Sequence, residues 1–450
     1  MSSRPHHTQK CLTEQFLGQM NDAQWQEIIA LLPPDVNEQA FIHQAFSRAN
    51  GLQCPTDLLR GLFAYVFCFR SFREVAAWAV STGLSSNGAR SWAKRMHQSS
   101  DWLLSMVQTL VGSTQPEQAL GLPKDFTGRI HLVDATHLRT WRRSGESRRL
   151  HCSYDLLGKR LDQILLTDHH VGEGLKHFHG HRGDIVVGDC AYCRRQAILD
   201  QLDEGVDVVT RLHWSTMPLL QADGQTPFDL SGWLSQLEPT GKGEANVVFQ
   251  VRTRQQPMRL VAVHLSPEAA KRAHSKRKEK ARKNGRTNQA LTIQIADWLV
   301  VLTSLPADRW SAEQILQLYR ARWQIELLFK RIKQLVRLHR LRSDDLQSNQ
   351  AVLAAMLVGW ILLEQQVSQA RRELHEQARE CLPGPLSTWA LCAVFAQSLH
   401  TMILGTWTWS QIQASLFQMR QVVRYHPQNR VHQESDVVTQ LAQTLYLSSV

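Results

Sequence analysis

With 450 residues, 43% of them hydrophobic, the chain is long enough for two or three domains and apolar enough to give each a core. A formal charge of +11 and a pI of about 9.4 favour an anionic polymer as partner over an acidic protein, and say nothing of fold. No signal-peptide stretch opens the sequence, the longest uncharged apolar run (351–363) is too short for a bilayer, and the eight cysteines offer one lone CxxC at Cys190 and Cys193. Secretion, membrane spanning and a four-cysteine zinc site are therefore not expected, and free thiols in a reducing cytoplasm are.

Residues 1–125 read as helical, with apolar residues at helical spacing in 25–32, 58–68 and 102–111. Within them Ser71 and Glu74 form a capping box, Gly83 permits a turn, and Ser85 or Ser86 caps a second helix carrying Arg90, Lys94 and Arg95. That is either a helix-turn-helix whose second helix, through Arg90 and Lys94, enters a major groove, or a plain helical hairpin.

From Arg129 the period changes to alternation, and Asp134 stands at the end of a first strand. LHCSYDLL and RLDQILLTD flank a Gly158-Lys159 turn, DIVVGDCAY is a strand ending at Asp189, a helix follows, and VDVVTRL is a further strand. Three antiparallel strands, then one beside the first, then helix and strand, is the order of a ribonuclease-H-like α/β core, which sets acids at the ends of the first and fourth strands side by side. Between them His177, His179 and His181 with Asp184 offer a weak zinc pattern without a fourth-ligand spacing, and His137 is either a group supporting Asp134 or a strand filler. Residues 213–296 interrupt the core with two strands, VVFQVRT and MRLVAVHL, and a basic run KRAHSKRKEKARKNGR that is a solvated loop or an arm lying on phosphate. DWLVVLTSLP is a buried strand, after which Ser311 caps a long helix. On it Tyr319, Arg322, Glu326, Lys330 and Lys333 follow steps of three and four, a single carboxylate in a cationic stripe, while Trp323, Ile325, Leu328, Phe329 and Ile332 pack. Residues 346–450 read as helices broken at Pro383–Pro385.

Asp134, Asp189 and Glu326 are thus three carboxylates that one fold brings together, the hard-oxygen donor set that divalent ions need for in-line attack on a phosphodiester. The spacing Y-x2-R-x3-E-x6-K at Tyr319, Arg322, Glu326 and Lys333, with VDAT at Asp134, GDCAY at Asp189 and VTRL at Arg211, resembles the DDE transposases of bacterial insertion sequences, in particular the insertion-sequence-four group. The resemblance covers residues 60–345 and includes a β-rich insertion. It implies a metal-binding catalytic triad of Asp134, Asp189 and Glu326 with two Mg²⁺ ions (Mn²⁺ as substitute). It also implies phosphate contacts from Tyr319, Arg322, Lys333, Lys330 and Arg211, and cut-and-paste transposition through a hairpin on the element's ends. Double-stranded DNA, as terminal inverted repeats and target, would be the substrate of a homodimer. Relatives hold a flipped base on a tryptophan of the insertion. Trp298 matches that block at a spacing one residue longer, and buried aromatic core is its other reading.

The expected organisation is a helical DNA-binding domain at 1–125, a ribonuclease-H-like core at 126–345 interrupted at 213–296, and a helical region at 346–450 that packs on the core, dimerises or both. An inactive DNA-binding regulator and a ribonuclease-H-like nuclease are the rival readings.

Overall fold

A computed structural model of the protein describes residues 23–113, 126–138, 147–285, 290–336, 345–378 and 387–405. It divides into two compact units. One joins the N-terminal 114 residues to 137–149 and 328–429; the other comprises 115–136, 150–327 and 430–450. The break expected at Pro383–Pro385 and the end of the helical region beyond residue 405 lie outside the described residues.

The first unit is helical. Its N-terminal part runs α1 (Ala23–Ala30), α2 (Val36–Ile42), α3 (Pro55–Phe63, continued by one π-helical turn Ala64–Cys68), α4 (Phe72–Ser81), α5 (Ala89–Gln98) and α6 (Ser100–Ser113). Helices from near the far end of the chain, α13 (Leu346–Ala378) and α14 (Thr388–Leu404), pack on these, α13 against α5 and α6 and α14 against the π turn. The two terminal regions, read separately in sequence, share one core. At 33 residues α13 far exceeds the apolar run that suggested it, because the helix continues through polar residues on both sides. By length and composition it would cross a membrane, yet 83% of its apolar window is buried inside the protein, as a core helix is.

Gly61 shows how tight this core is. A Cβ added there would lie 2.1 Å from two ring carbons of Trp92, whose side chain is wholly buried on α5. Gly61→Ala is therefore expected to destabilise the unit by about 1–3 kcal/mol through overpacking, although alanine is the better helix former by about 1 kcal/mol. Urea unfolding measures it, and an unchanged midpoint would mean that Trp92 has room to move.

The helix-turn-helix expectation needs correction in detail. Ser71 Oγ does accept the Glu74 amide at 3.3 Å, but the Glu74 carboxylate takes the Arg70 amide at 2.6 Å, one residue before the cap. The second helix starts late, after Gly88, with no side-chain cap. Ser85 Oγ instead accepts the Asn87 amide. The connection therefore spans residues 82–88, longer than the usual turn of about three or four. Arg95 is buried, its guanidinium donating to the Arg48 and Ala49 carbonyls at 3.1 and 2.8 Å, whereas Arg90 and Lys94 are exposed.

The second unit is built on a nine-stranded sheet in the order β3-β2-β1-β4-β5-β9-β8-β7-β6. Its strands are β1 (Ile130–Leu138), β2 (Arg148–Asp155), β3 (Arg160–Asp168), β4 (Ile185–Gly188), β5 (Asp207–Arg211), β6 (Leu220–Gln221), β7 (Lys242–Val251), β8 (Arg254–His264) and β9 (Trp298–Thr303). β1, β4 and β5 are parallel, buried and rich in Val and Ile, as strands covered on both faces must be. This mixed α/β arrangement fits the ribonuclease-H-like order read from the sequence. The insertion is not a separate β layer. β9 pairs antiparallel with both β5 and β8, so β6–β8 extend the core sheet. One face buries Val133, Val186, Val208, Leu260 and Trp298 with residues of α7 (Arg195–Asp203) and α8 (Leu230–Leu237). The basic run, expected as loop or arm, is a 17-residue helix, α9 (Pro267–Lys283), followed by the short α10 (Ala290–Gln294). The other face receives α11 (Ala312–Ala321) over β4, β5 and β9, capped by a reciprocal Ser311–Gln314 box. α12 (Trp323–Leu335) follows directly.

Candidate active site

The parallel register builds the site. Leu132 pairs with Val187 and Gly188 with Thr210. Continued by one or two residues, the same offsets set Asp134 beside Asp189 and Asp189 beside Arg211, a row across three neighbouring strands. Asp134 lies within β1 rather than at its end, because β1 runs on to Leu138 after its pairing with β4 stops. Asp189 leaves β4 into a turn that its own carboxylate closes, Oδ1 accepting the Ala191 amide at 2.7 Å. Gly188 is required there, since a Cβ would stand 2.8 Å from the Cβ of Tyr192.

The helical stripe comes to this row from the other chain end. The helix is interrupted at Arg322, whose amide bonds Tyr319 O and whose carbonyl accepts from Ile325, both one residue short of α-helical spacing. Arg322 donates from Nη2 to Glu326 Oε1 at 2.5 Å, and its Nη1 lies 3.9 Å from Asp134 Oδ2. So the third acid reaches the first across one guanidinium, and the single carboxylate of the stripe is paired i, i+4 with Arg322. Burial pushes the Asp134 carboxyl up to about 7. The Ala135 amide and Arg322 oppose the rise, and the Asp189 and Glu326 charges add to it. Arg322 is half-buried: burial works against its charge, but Tyr319 and Glu326 more than offset this and hold it firmly protonated. Its carbon Cζ sits 5.8 Å over the Tyr319 ring, and burial raises the Tyr319 phenol. Tyr192, absent from the sequence predictions, is fully buried near both aspartates, and its hydroxyl has no partner among the described residues.

With Asp189 and Glu326 both raising the proton affinity of Asp134, the three carboxylates are a concentration of negative charge that one arginine does not neutralise. The donors are all hard oxygens, so the set suits a divalent cation.

The remaining expectations divide. Arg211 is half-buried at the end of β5 beside this row. Lys330 and Lys333 lie further along α12 in the other unit, Lys330 exposed with Nζ 6.0 Å from the Trp389 ring centroid. Trp298 is 1% exposed, packed in the sheet core and edge-on to His264 at 5.0 Å. With no open ring face it is core, not a base platform. Trp323, expected to pack, is instead 47% exposed at the start of α12.

The weak zinc pattern gains no support from the hydrogen bonding around it. His177 Nε2 bonds the Gly172 carbonyl, and Asp184 is fully used by His131 and the Arg129 and His181 amides. His137 is exposed and shares a hydrogen bond with Arg149. Three positions along a strand put it on the face opposite Asp134. Cys190 and Cys193 are free thiols, that of Cys193 pushed by burial up to about 11 and so unreactive.

Residues 125–362 match the family model described as a transposase DDE domain. The chain is 31% identical over 353 residues to the putative transposase InsL for insertion sequence element IS186A of Escherichia coli (strain K12), covering 76% of this chain and 93% of that one. It is likewise 31% identical over 354 residues to the transposase for insertion sequence element IS421 of Escherichia coli, with the same coverage. The transposase for insertion sequence element IS231E of Bacillus thuringiensis subsp. finitimus is 24% identical over 172 residues, 36% of its length.

Proposed function

The chain belongs to the DDE transposases, enzymes that cleave and transfer DNA, and from that premise we propose cut-and-paste transposition of the insertion-sequence-four type with Asp134, Asp189 and Glu326 as catalytic acids. The observation that carries this reading is their convergence: two acids in register on parallel strands and a third linked to the first through Arg322. Asp134, Asp189 and Glu326 would hold two Mg²⁺ ions, or Mn²⁺ in their place. Bound there, the ions would supply an acidified water or 3′-hydroxyl and neutralise charge on the leaving oxygen.

The chain's own residues do the positioning. Arg322 keeps the Glu326 and Asp134 carboxylates turned toward each other. Arg211, in the same row, offers a guanidinium to a non-bridging phosphate oxygen, and Lys330 and Lys333 would contact DNA phosphates as well. Tyr319 backs Arg322 with its ring face. The exposed Trp323 presents the aromatic surface on which an extruded base stacks if the reaction passes through a hairpin, a role that burial denies Trp298. Arg90 and Lys94 on α5 serve recognition of the terminal inverted repeats, with two copies of the chain bridging the two ends in the cytoplasm.

The test is cleavage of a labelled duplex carrying the end of the chain's own element, with Mg²⁺ or Mn²⁺. A hairpin-ended product is expected. Binding without any cleavage would mean a DNA-binding regulator, and cutting without preference for the end would mean a plain nuclease.

A further inference from the structure

Beyond the turn that carries Asp189 lies a cleft of about 430 Å³. Three of its six lining residues are arginines: Arg194 and Arg195 where α7 begins, and Arg252 at the turn between β7 and β8. Gln196 and Thr216 add polar walls, and Val251 is the single apolar lining residue. Two of these walls follow neighbouring parallel strands. β4 ends at Gly188 and leads through Asp189 to Arg194, and β5 ends at Arg211 and leads to Thr216. Parallel neighbours end on the same side, so the cleft opens at the sheet edge along which Asp134, Asp189 and Arg211 stand. Open α/β sheets hold their ligands outside that edge.

The walls are fastened to one another. Arg195 Nη1 donates to the Gln250 carbonyl at 2.9 Å, and Gln250 Nε2 donates to the Arg252 carbonyl at 2.6 Å. One glutamine of β7 thus joins the start of the helix to the tip of the hairpin. Arg194 Nε donates to the Ala191 carbonyl at 3.3 Å, while the Ala191 amide is held by the Asp189 carboxylate at 2.7 Å. An arginine of the cleft and an acid of the site therefore grip the same residue. The acids of α7 are engaged elsewhere: Asp200 accepts from Gln196 at 2.8 Å, and Asp203 takes both Arg254 nitrogens at 2.8 and 2.7 Å. Arg194, Arg195 and Arg252 form no ion pair among the described residues.

Three guanidinium groups around one concavity, with no carboxylate among the lining residues, suit an anion with several acceptor oxygens. A phosphate gains charge-assisted, bidentate hydrogen bonds there, and its DNA releases counterions. An apolar ligand would find one side chain to pack on, and a metal ion no acid to hold it. We propose that this cleft binds a backbone phosphate of the DNA strand that passes Asp189, outside the phosphodiester being cut. The assignment rests on the transposase reading and adds Arg194 and Arg252 to it, with Arg195 tied to Gln250 beside them.

The experiment reads fluorescence anisotropy of a labelled duplex bearing the element's own end, across a salt series and without divalent metal. The proteins are wild type, Arg252→Gln, the double variant Arg194→Gln/Arg252→Gln, and Arg254→Gln as a control on the same hairpin outside the cleft. The double variant should bind about tenfold more weakly and lower the slope of log affinity against log salt by about one. Arg252→Gln alone should lose about threefold, and it keeps the test open if the double variant does not fold. Both losses should recur on a duplex of scrambled sequence, because a backbone contact reads no bases. Wild-type slope and affinity in these variants would overturn the proposal. So would an equal loss in Arg254→Gln, which would mean diffuse surface charge. Inorganic phosphate that raises the melting temperature of the wild type alone, with DNA binding unchanged in the variants, would overturn it in favour of a small-anion site. Because binding is read without metal, a wild type that binds but does not cut would fail the catalytic reading while leaving the cleft tested.

Discussion

Glu326→Gln should abolish cleavage of the element's end, by roughly a thousandfold or more, while end binding stays within about threefold of wild type. The amide keeps the size of the side chain and can still accept from Arg322, so the 2.5 Å contact is weakened but not emptied. What it loses is charge at the place where three carboxylates converge. Removing that charge also removes one of the influences that lift Asp134 to about 7, so Asp134 should ionise more readily in the variant. A structural defect would look different: it would lower the melting temperature and binding together with activity. Asp189→Asn is expected to match Glu326→Gln, because Asp189 stands next to Asp134 in register and makes a single backbone hydrogen bond in its turn. Single-turnover cleavage with Mg²⁺ and with Mn²⁺, alongside anisotropy, gives both readouts. If either variant cuts at the wild-type rate, that acid is not part of the catalytic set and the proposed mechanism fails.

Much of this site was legible because its signals are local. A strand's period of two, the Gly-Asp at the end of β4 and helical spacing from Tyr319 to Lys333 each depend on residues a few positions apart. The strand order followed from those pieces, since parallel neighbours with a helix between them admit few topologies. What failed to show depends on partners distant in sequence. The basic run hid a helix because its outward cations are what composition reports, whereas the inward stripe of Ala270, His274, Arg277 and Ala281 is sparse and small. Trp298, read as base platform or as buried core, is core, and Trp323, expected to pack, is exposed: both sit in apolar segments, and only the pairing of β9 between β5 and β8 encloses one of them. The i, i+4 pair of Arg322 and Glu326 is local and follows from helical spacing alone.

The buried network around His131, three residues before Asp134 on β1, predicts an effect on stability and, through strand register, on the site. His131, on β1, is held between Asp162 and Asp184 at 2.9 Å on each ring nitrogen, all three side chains being less than 10% exposed. Arg129 Nη1 donates to Asp162 at 3.1 Å, and the Arg129 and His181 amides both donate to Asp184 at 2.8 Å. Burial alone would strip the proton from His131, but the hydrogen bonds and charges of the two aspartates win and raise it to about 9 from its ordinary 6.5. The same contacts overcome burial at Asp162 and Asp184 and hold both below their ordinary value. The signs follow by linkage. A histidine raised in the folded state contributes fully below pH 6.5 and loses that contribution as pH rises through about 9. The two aspartates contribute above their ordinary 3.8 and lose their contribution as pH falls through their lowered values. Stability from this network should therefore be greatest near pH 4–6.5 and decline from pH 7 to 9. His131→Ala leaves Asp184 without its cation and Asp162 with Arg129 alone, and should cost about 3–5 kcal/mol. Adding Asp162→Asn and Asp184→Asn to it should recover a large part of that, because no unpaired charge remains. Urea unfolding of the three proteins at pH 6 and pH 9 decides the matter. A wild type equally stable at both values, or a His131→Ala loss below about 1 kcal/mol, would show that the histidine is neutral and the network inert. Because Asp184 immediately precedes β4 and bonds the Arg129 amide at the start of β1, the network fixes the register of those two strands at one end. The same register, four residues further on, brings Asp134 beside Asp189. The variant should therefore lose cleavage rate even at temperatures where it remains folded.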